Sequence, residues 1–310
     1  LADRGATRHR GTIGDPNAIL EAARGCEVMV HAAAVADHRS APRALYWVNV
    51  AGTENAALAA RHAGCSRFVF VSCGDVTLCN ADRVHWNEDR TLMGRPLDHH
   101  ARSKLLAEET AVAAQQQGLE TVALRPGVLW GPGDTTNLPR WCREGLAGGI
   151  RLLGRGDNLV CTTYIDNLVA AIDSAAEVEL EGEQIFHVTD GEFQESREFF
   201  RGISEELGFP PPRASASYGL TYGLAWMRWR LGSGGAWPTD VIRRGRSTYL
   251  DHQKASRVLE YEPPVSVVEG MKALAAWVQE RGGPKAVAEM GRAPATADSV
   301  DEQVAAAGGD

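Results

Sequence analysis

Apolar and polar positions in the first half of the chain follow two alternating rhythms. Short runs of consecutive apolar residues, at Val28–Ala34 (VMVHAAA), Arg67–Ser72 (RFVFVS) and Thr121–Arg125 (TVALR), mark strands buried on both faces. Between them lie stretches with helical spacing: Pro16–Arg24, then Val48–His62 closed by Gly64, then Ser103–Gln117 closed by Gly118. Strands separated by helices of ~10 to 15 residues specify βαβ units and a parallel sheet. His9–Ile13 is read as one further short strand.

Beyond Trp130 the rhythm breaks. GPGD, GLAGG and GRGD mark loops. Helical spacing returns at Tyr164–Ala176, at Glu198–Leu207 (capped by Gly208 and stopped by three prolines), at Tyr218–Leu231 and at Val267–Arg281. From about Gly282 the chain is rich in Ala, Gly, Pro and acids, which predicts a disordered tail. The expectation is an α/β chain with one nucleotide-binding-sized unit over 1–190, to whose far side 131–157 contributes, a smaller unit over 191–282, and a tail over 283–310.

Composition narrows the classes. The chain has 310 residues, 44% hydrophobic and 23% charged, as expected of a globular protein. A net charge of -8 argues against a nucleic-acid partner. No apolar run reaches the ~18 to 20 residues of a membrane span. The first residues, LADRGATRHRG, contain no apolar signal core. Six cysteines without a CxxC pair suggest no metal site and reduced thiols, hence a cytoplasmic protein.

Seven short pieces occur in one order: EVMVHAAA from Glu27, NVAGT from Asn49, RFVFVSCGDV from Arg67, HARSKLLAE from His100, LRPGVLWGPGD from Leu124, YIDNL from Tyr164 and DHQKASRVLEYEPPVSVVEG from Asp251. Together they resemble the extended short-chain dehydrogenase/reductase superfamily, the NAD-dependent epimerases and dehydratases. HVTDGE from His187 and the last piece point to its 3β-hydroxysteroid dehydrogenase-like branch. The resemblance implies a Rossmann-like doubly wound parallel sheet with a smaller C-terminal α/β substrate domain. It also implies NAD or NADP as cofactor, a small-molecule substrate and a homodimer through the helices beginning near Asn49 and Ser103.

Roles carried over by the resemblance fall on particular residues. Ala33 and Ala34 would lie against the cofactor, Thr12 and Ile13 against its adenine, and Pro126, Gly127 and Val128 along the nicotinamide. Asn49 would face the active site and Lys104 would bind the ribose. The family's Ser, Tyr and Lys are only partly kept: Lys104 stands in place, but four residues before it is His100, and the Ser position falls on Cys73. In one reading His100 donates the proton and Cys73 holds the substrate oxygen. In another the redox chemistry is lost and the pocket binds a ligand or partner. A non-redox epimerase, dehydratase or lyase is a third.

The dinucleotide fingerprint GxGxxG, a Gly-rich turn between strand and helix, is absent, as are the sheet's first two strands. The expectation is a chain truncated upstream that binds NAD(P) weakly by itself, with VMVHAAA left as an unpaired edge or covered by RHRGTI. Tyr218–Leu231 (YGLTYGLAWMRWRL) reads first as a core or lid helix and second as a helix resting on a membrane surface. The substrate is read as a hydrophobic, steroid-like alcohol or ketone, or a sugar nucleotide.

Overall fold

In the computed structural model, residues 5–89, 96–180, 184–231 and 237–290 are described. The strands are β1 (Val28–His31), β2 (Arg67–Val71), β3 (Arg83–Trp86), β4 (Glu120–Pro126), β5 (Val128–Trp130), β6 (Leu159–Val160), β7 (Thr162–Tyr164), β8 (Gln184–Val188), β9 (Gln194–Glu195) and β10 (Thr248–Leu250). The helices are α1 (Pro16–Ala23), α2 (Pro42–Tyr46), α3 (Gly52–Ala63), α4 (His99–Ala113), α5 (Leu138–Leu146), α6 (Ile165–Glu177), α7 (Ser196–Leu207), α8 (Tyr218–Arg230), α9 (Pro238–Gly245), α10 (Gln253–Val258), α11 (Val267–Glu280) and α12 (Gly283–Glu289). A π-helical turn, Trp47–Ala51, joins α2 to α3.

The three apolar runs become neighbours in one parallel sheet of order β1-β2-β4-β8. All five residues of β2 are buried, as a strand covered on both faces requires. On one face, alanines of α3 and α4 (Ala56, Ala60, Ala107, Ala111) pack on Phe68, Phe70 and Ala123. Small side chains let these helices approach closely. On the other face, Leu168, Ala171 and Ala175 of α6 cover Val69, Val71, Val122 and Leu124. A separate aromatic core, with Trp130, Trp141, Tyr164 and Phe199, joins α5, α7 and α11 in the C-terminal unit.

One buried carboxylate locks β5, β7 and α6 to the end of β8. Asp190, just past β8, accepts hydrogen bonds from Trp130 Nε1 (2.9 Å), Thr162 Oγ1 (2.8 Å), Tyr164 N (2.6 Å) and Asn167 Nδ2 (2.8 Å). Asn167 in turn donates to Val265 O and accepts from Val265 N, which fixes the entry to α11.

Three expectations change. His9–Ile13 is not a strand. Thr12 instead closes a turn with Asp15, whose carboxylate caps α1 through Asn17 N and Ala18 N. β1 therefore keeps an unpaired outer edge among the described residues, with Val30 44% exposed. Residues 283–289, assigned to the tail, form α12. Its Val287 is buried in the aromatic core, and Arg143 Nη1 donates to Ala288 O. Residues 291–310 lie outside the described residues. Finally, α8 is not a core helix. Its apolar side chains face all round, so one contact with α9 hides only Ala225 and leaves Trp226, Met227 and Trp229 about half exposed. No helix among the described residues is long and apolar enough to cross a membrane.

Candidate functional site

The C-terminal ends of β2 and β4 open into one cavity of about 800 Å³, where ligands of open α/β sheets bind. Its floor brings together Cys73, His100, Lys104 and Pro126–Val128, with Ala34 at the end of β1. The far wall comes from α5, α7 and α9. Lys104 and His100 share the inner face of α4, whose N-terminus is capped by Asp98 through Ala101 N (2.8 Å).

Lys104 is buried. Its Nζ donates to Val71 O at 2.7 Å and lies 4.6 Å from the centre of the Phe70 ring. Burial lowers its pKa, against the pull of Cys73 and Glu108. His100 is buried, with no partner for Nδ1. Burial, aided by Arg243 and Lys104, pulls its pKa down to about 4, although Asp75 and Asp98 resist. Its imidazole is thus neutral at pH 7. Burial, and then Asp75, push the Cys73 thiol up to about 12, so no thiolate is poised there.

Ser72 is occupied elsewhere: its Oγ donates to Glu108 Oε2 at 2.6 Å. Glu108 also accepts from Arg125 Nε (2.9 Å) and Nη2 (2.5 Å), which completes a buried ion pair under the floor. Cys73, one residue on, lines the cavity with Ser72 and is the less buried of the two.

Other expected residues sit behind the site. Asn49 does not line the cavity. Its Oδ1 accepts from Val35 N (2.8 Å) and its Nδ2 donates to Ser103 Oγ (2.9 Å), so it clamps the loop after β1 to α4. Ala34 lines the cavity wall and Ala33 does not. Thr12 and Ile13 are also outside the cavity; Ile13 packs against the cluster under α3. Gly127 is required by the protein itself, since a Cβ there would stand 2.6 Å from Cys161 O.

Sequence reasoning missed the charged groups above His100. Arg243 of α9 donates to Asp75 (2.7 Å) and to Asp98 (2.6 Å). Burial pushes Asp75 up, but Arg243, His100 and Arg83 outweigh it and bring it down to about 2. Asp75 follows Cys73 by two residues and was within sight of the motif. Arg243 lies 168 positions further along and carries no local signal.

The nicotinamide and ribose half of a dinucleotide fits these residues: a small-residue wall at Ala34, Lys104 and the Pro126–Val128 turn. A pyrophosphate cradle does not fit. The N-termini of α4 and α5 beside the cavity are already filled by the Asp98 and Asp134 carboxylates, which would repel a phosphate. Among the described residues, no group of three or more His, Cys, Asp or Glu could hold a metal ion.

Residues 3–216 match the 3-beta hydroxysteroid dehydrogenase/isomerase family. The chain belongs to that family. A 2-alkyl-3-oxoalkanoate reductase of Stenotrophomonas maltophilia is 31% identical over 296 residues, covering 88% of this chain and 86% of the relative. A 3-beta-hydroxysteroid dehydrogenase of Mycolicibacterium neoaurum is 28% identical, over 84% of this chain and 76% of its own. Among solved structures, DesIV, a dTDP-glucose 4,6-dehydratase of Streptomyces venezuelae with NAD and TYD bound, superposes with a TM-score of 0.68 at 25% identity. The match covers 88% of this chain and 79% of DesIV. MoeE5, at 24% identity and TM-score 0.69 over 87% of this chain and 85% of its own, shares the fold. These likenesses bear out the Rossmann-type α/β architecture and the branch to which the motifs pointed.

Proposed function

We propose that this family member is an NAD(P)-dependent oxidoreductase that interconverts a secondary alcohol and a ketone on a hydrophobic substrate. The observation that carries this reading is the convergence of Cys73, His100, Lys104 and Pro126–Val128 on one cavity. A nicotinamide dinucleotide bound there would supply or take up hydride. Lys104, with one hydrogen bond to Val71 O, keeps N–H groups for a ribose hydroxyl. Neutral His100 accepts the proton of a substrate hydroxyl during oxidation and returns it during reduction. The charge that forms on the imidazole is countered by Asp75 and Asp98. Cys73 S–H is a weak donor that holds the substrate oxygen. A homodimer through α3 and α4 is part of the same reading, supported by the exposure of Leu58 and Leu106.

One observation favours a second reading, ligand binding without hydride transfer. His100 and Cys73 are both held away from their charged, reactive forms. Single-turnover absorbance at 340 nm with NADH or NADPH and long-chain ketones separates the two. The first reading expects hydride transfer that His100→Ala slows by about a hundredfold and His100→Tyr sustains. Turnover unchanged in His100→Ala would remove His100 from the chemistry, and no transfer by the unaltered chain with any ketone would favour the second reading.

A further inference from the structure

The cavity wall opposite Cys73 and His100 is rich in arginine, and nearly every guanidinium there is already engaged. Arg243 is held by Asp75 and Asp98, Arg39 by Asp37, and Arg244 by Glu144 at 3.2 Å. Arg143 donates to Ala288 O. Arg140, in the first turn of α5, is different. Its single hydrogen bond among the described residues is a long one, Nη2 to Asn137 Oδ1 at 3.4 Å. Its Nε is shut off from solvent and has no partner.

The carboxylates that face Arg140 are Asp134, Glu144 and Asp240, and each is committed elsewhere: Asp134 accepts from Thr136 N, Asn137 N and Leu138 N. Glu144 holds Arg244 and Arg151 N, while Asp240 holds His38 and Trp237 N. Burial, with Arg244 beside it, lowers the pKa of Arg140. A guanidinium that is desolvated, pressed by a second cation and short of acceptors is stabilised by an incoming anion. The remaining wall near it is apolar, with Trp141, Leu152, Val160, Phe199 and Phe200.

We propose that Arg140 anchors a carboxylate of the substrate, so that the cavity takes an amphiphilic monocarboxylic acid whose hydroxyl or keto group lies at Cys73 and His100. Arg140 is thereby a specificity-determining residue. One unpaired guanidinium matches one negative charge. A diphosphate would bring further charges against Glu144, Asp240, Asp37 and Asp134, which all face the cavity or its wall. The proposal rests on the reading that this cavity is the substrate site.

The test uses binding alone, so it does not depend on cofactor or turnover. Trp130 and Trp141 line the cavity, and their fluorescence reports occupancy. The full chain is titrated with 3-hydroxydodecanoate, with its methyl ester and with UDP. The acid is expected to bind at least about tenfold more tightly than the ester. Arg140→Met is expected to abolish that preference and Arg140→Lys to keep part of it. Equal binding of acid and ester by the unaltered chain overturns the proposal, and this comparison needs no variant to fold. An acid preference that survives in folded Arg140→Met overturns the assignment to Arg140. Tighter binding of UDP than of the acid, lost in Arg140→Met, overturns the monocarboxylate in favour of a diphosphate. An acid preference in a chain that transfers no hydride leaves this inference standing while the redox reading falls.

Discussion

Mild acid should destabilise this protein through three buried histidines. His31 (4% exposed) lies stacked against Phe68 and Phe70, His100 (8%) sits under Arg243, and His187 (0%) has Glu88 Oε1 4.0 Å from its Nδ1. Burial, with a nearby Lys or Arg, lowers their pKa to about 4, about 4 and about 3, from 6.5. Above pH 6.5 all three are neutral in both states. Below it the unfolded chain binds protons that the folded chain refuses, so stability is lost as the pH falls from 6.5 toward 4. At pH 5 the difference is roughly 1.5 pH units for each group, or about 2 kcal/mol each and about 6 kcal/mol together.

Few groups oppose this. Burial raises the pKa of Glu88 and Asp134, which returns part of the loss. Asp75, held near 2, keeps its contribution until the pH falls below 3.8. A domain's whole stability is about 5–15 kcal/mol, so the effect should dominate. The assay is urea unfolding followed by Trp fluorescence at pH 7, 6 and 5. His187→Phe should cut the pH slope by about a third, since each group contributes up to about 1.4 kcal/mol per pH unit. Stability that stays level or rises between pH 7 and 5 would refute the reasoning.

Other outcomes follow from the same kind of reasoning about buried groups. NADH should bind this chain with a Kd above about 10 μM, because Asp98 and Asp134 fill the N-termini of α4 and α5 beside the cavity; energy transfer from Trp to nicotinamide measures it, and tighter binding would overturn the point. Glu108→Ala leaves Arg125 buried without its carboxylate and Ser72 without its acceptor, and should cost about 3–5 kcal/mol in urea unfolding. Alkylation by iodoacetamide at pH 8, read by mass spectrometry, should label exposed Cys26 long before Cys73, Cys142 or Cys161, whose thiols burial pushes up to about 12, 11 and 12. Equal labelling of Cys73 would mean that its thiol is open to solvent and base.

The parts legible in the sequence were those encoded locally. A strand buried on both faces needs an unbroken apolar run, so RFVFVS could hardly be anything but β2, and Gly64 and Gly118 marked helix ends because both take the left-handed conformation. Lys104 and His100 were legible through the family motif they resemble, whose spacing of four returns both to one helix face. What stayed hidden depends on distant contacts. Nothing near Arg243 announces that α9 will lay it across Asp75 and Asp98, and nothing near Arg140 announces that its neighbours will find other partners. The strand expected at His9–Ile13 failed where Thr12 closes a turn with Asp15 and Ile13 packs against the cluster under α3 instead. Asn49 was found by its motif, yet its role differs: its amide is consumed by Val35 and Ser103.

The Asp190 junction bears on how firmly the cavity is held. Its four donors lock β5, β7 and α6 to the end of β8, each hydrogen bond to a charged group being worth about 1.5–3 kcal/mol, and Asn167 carries the hold on to Val265 before α11. Such a joint is a weld, with no hinge to swing. A swing of α11 against the sheet would have to break the Asn167–Val265 pair. At the α9 wall of the cavity, Arg244 (31% exposed) is likewise held, by Glu144 and by Arg151 O. The receptacle is shaped during folding, so little ordering remains to be done when a ligand arrives.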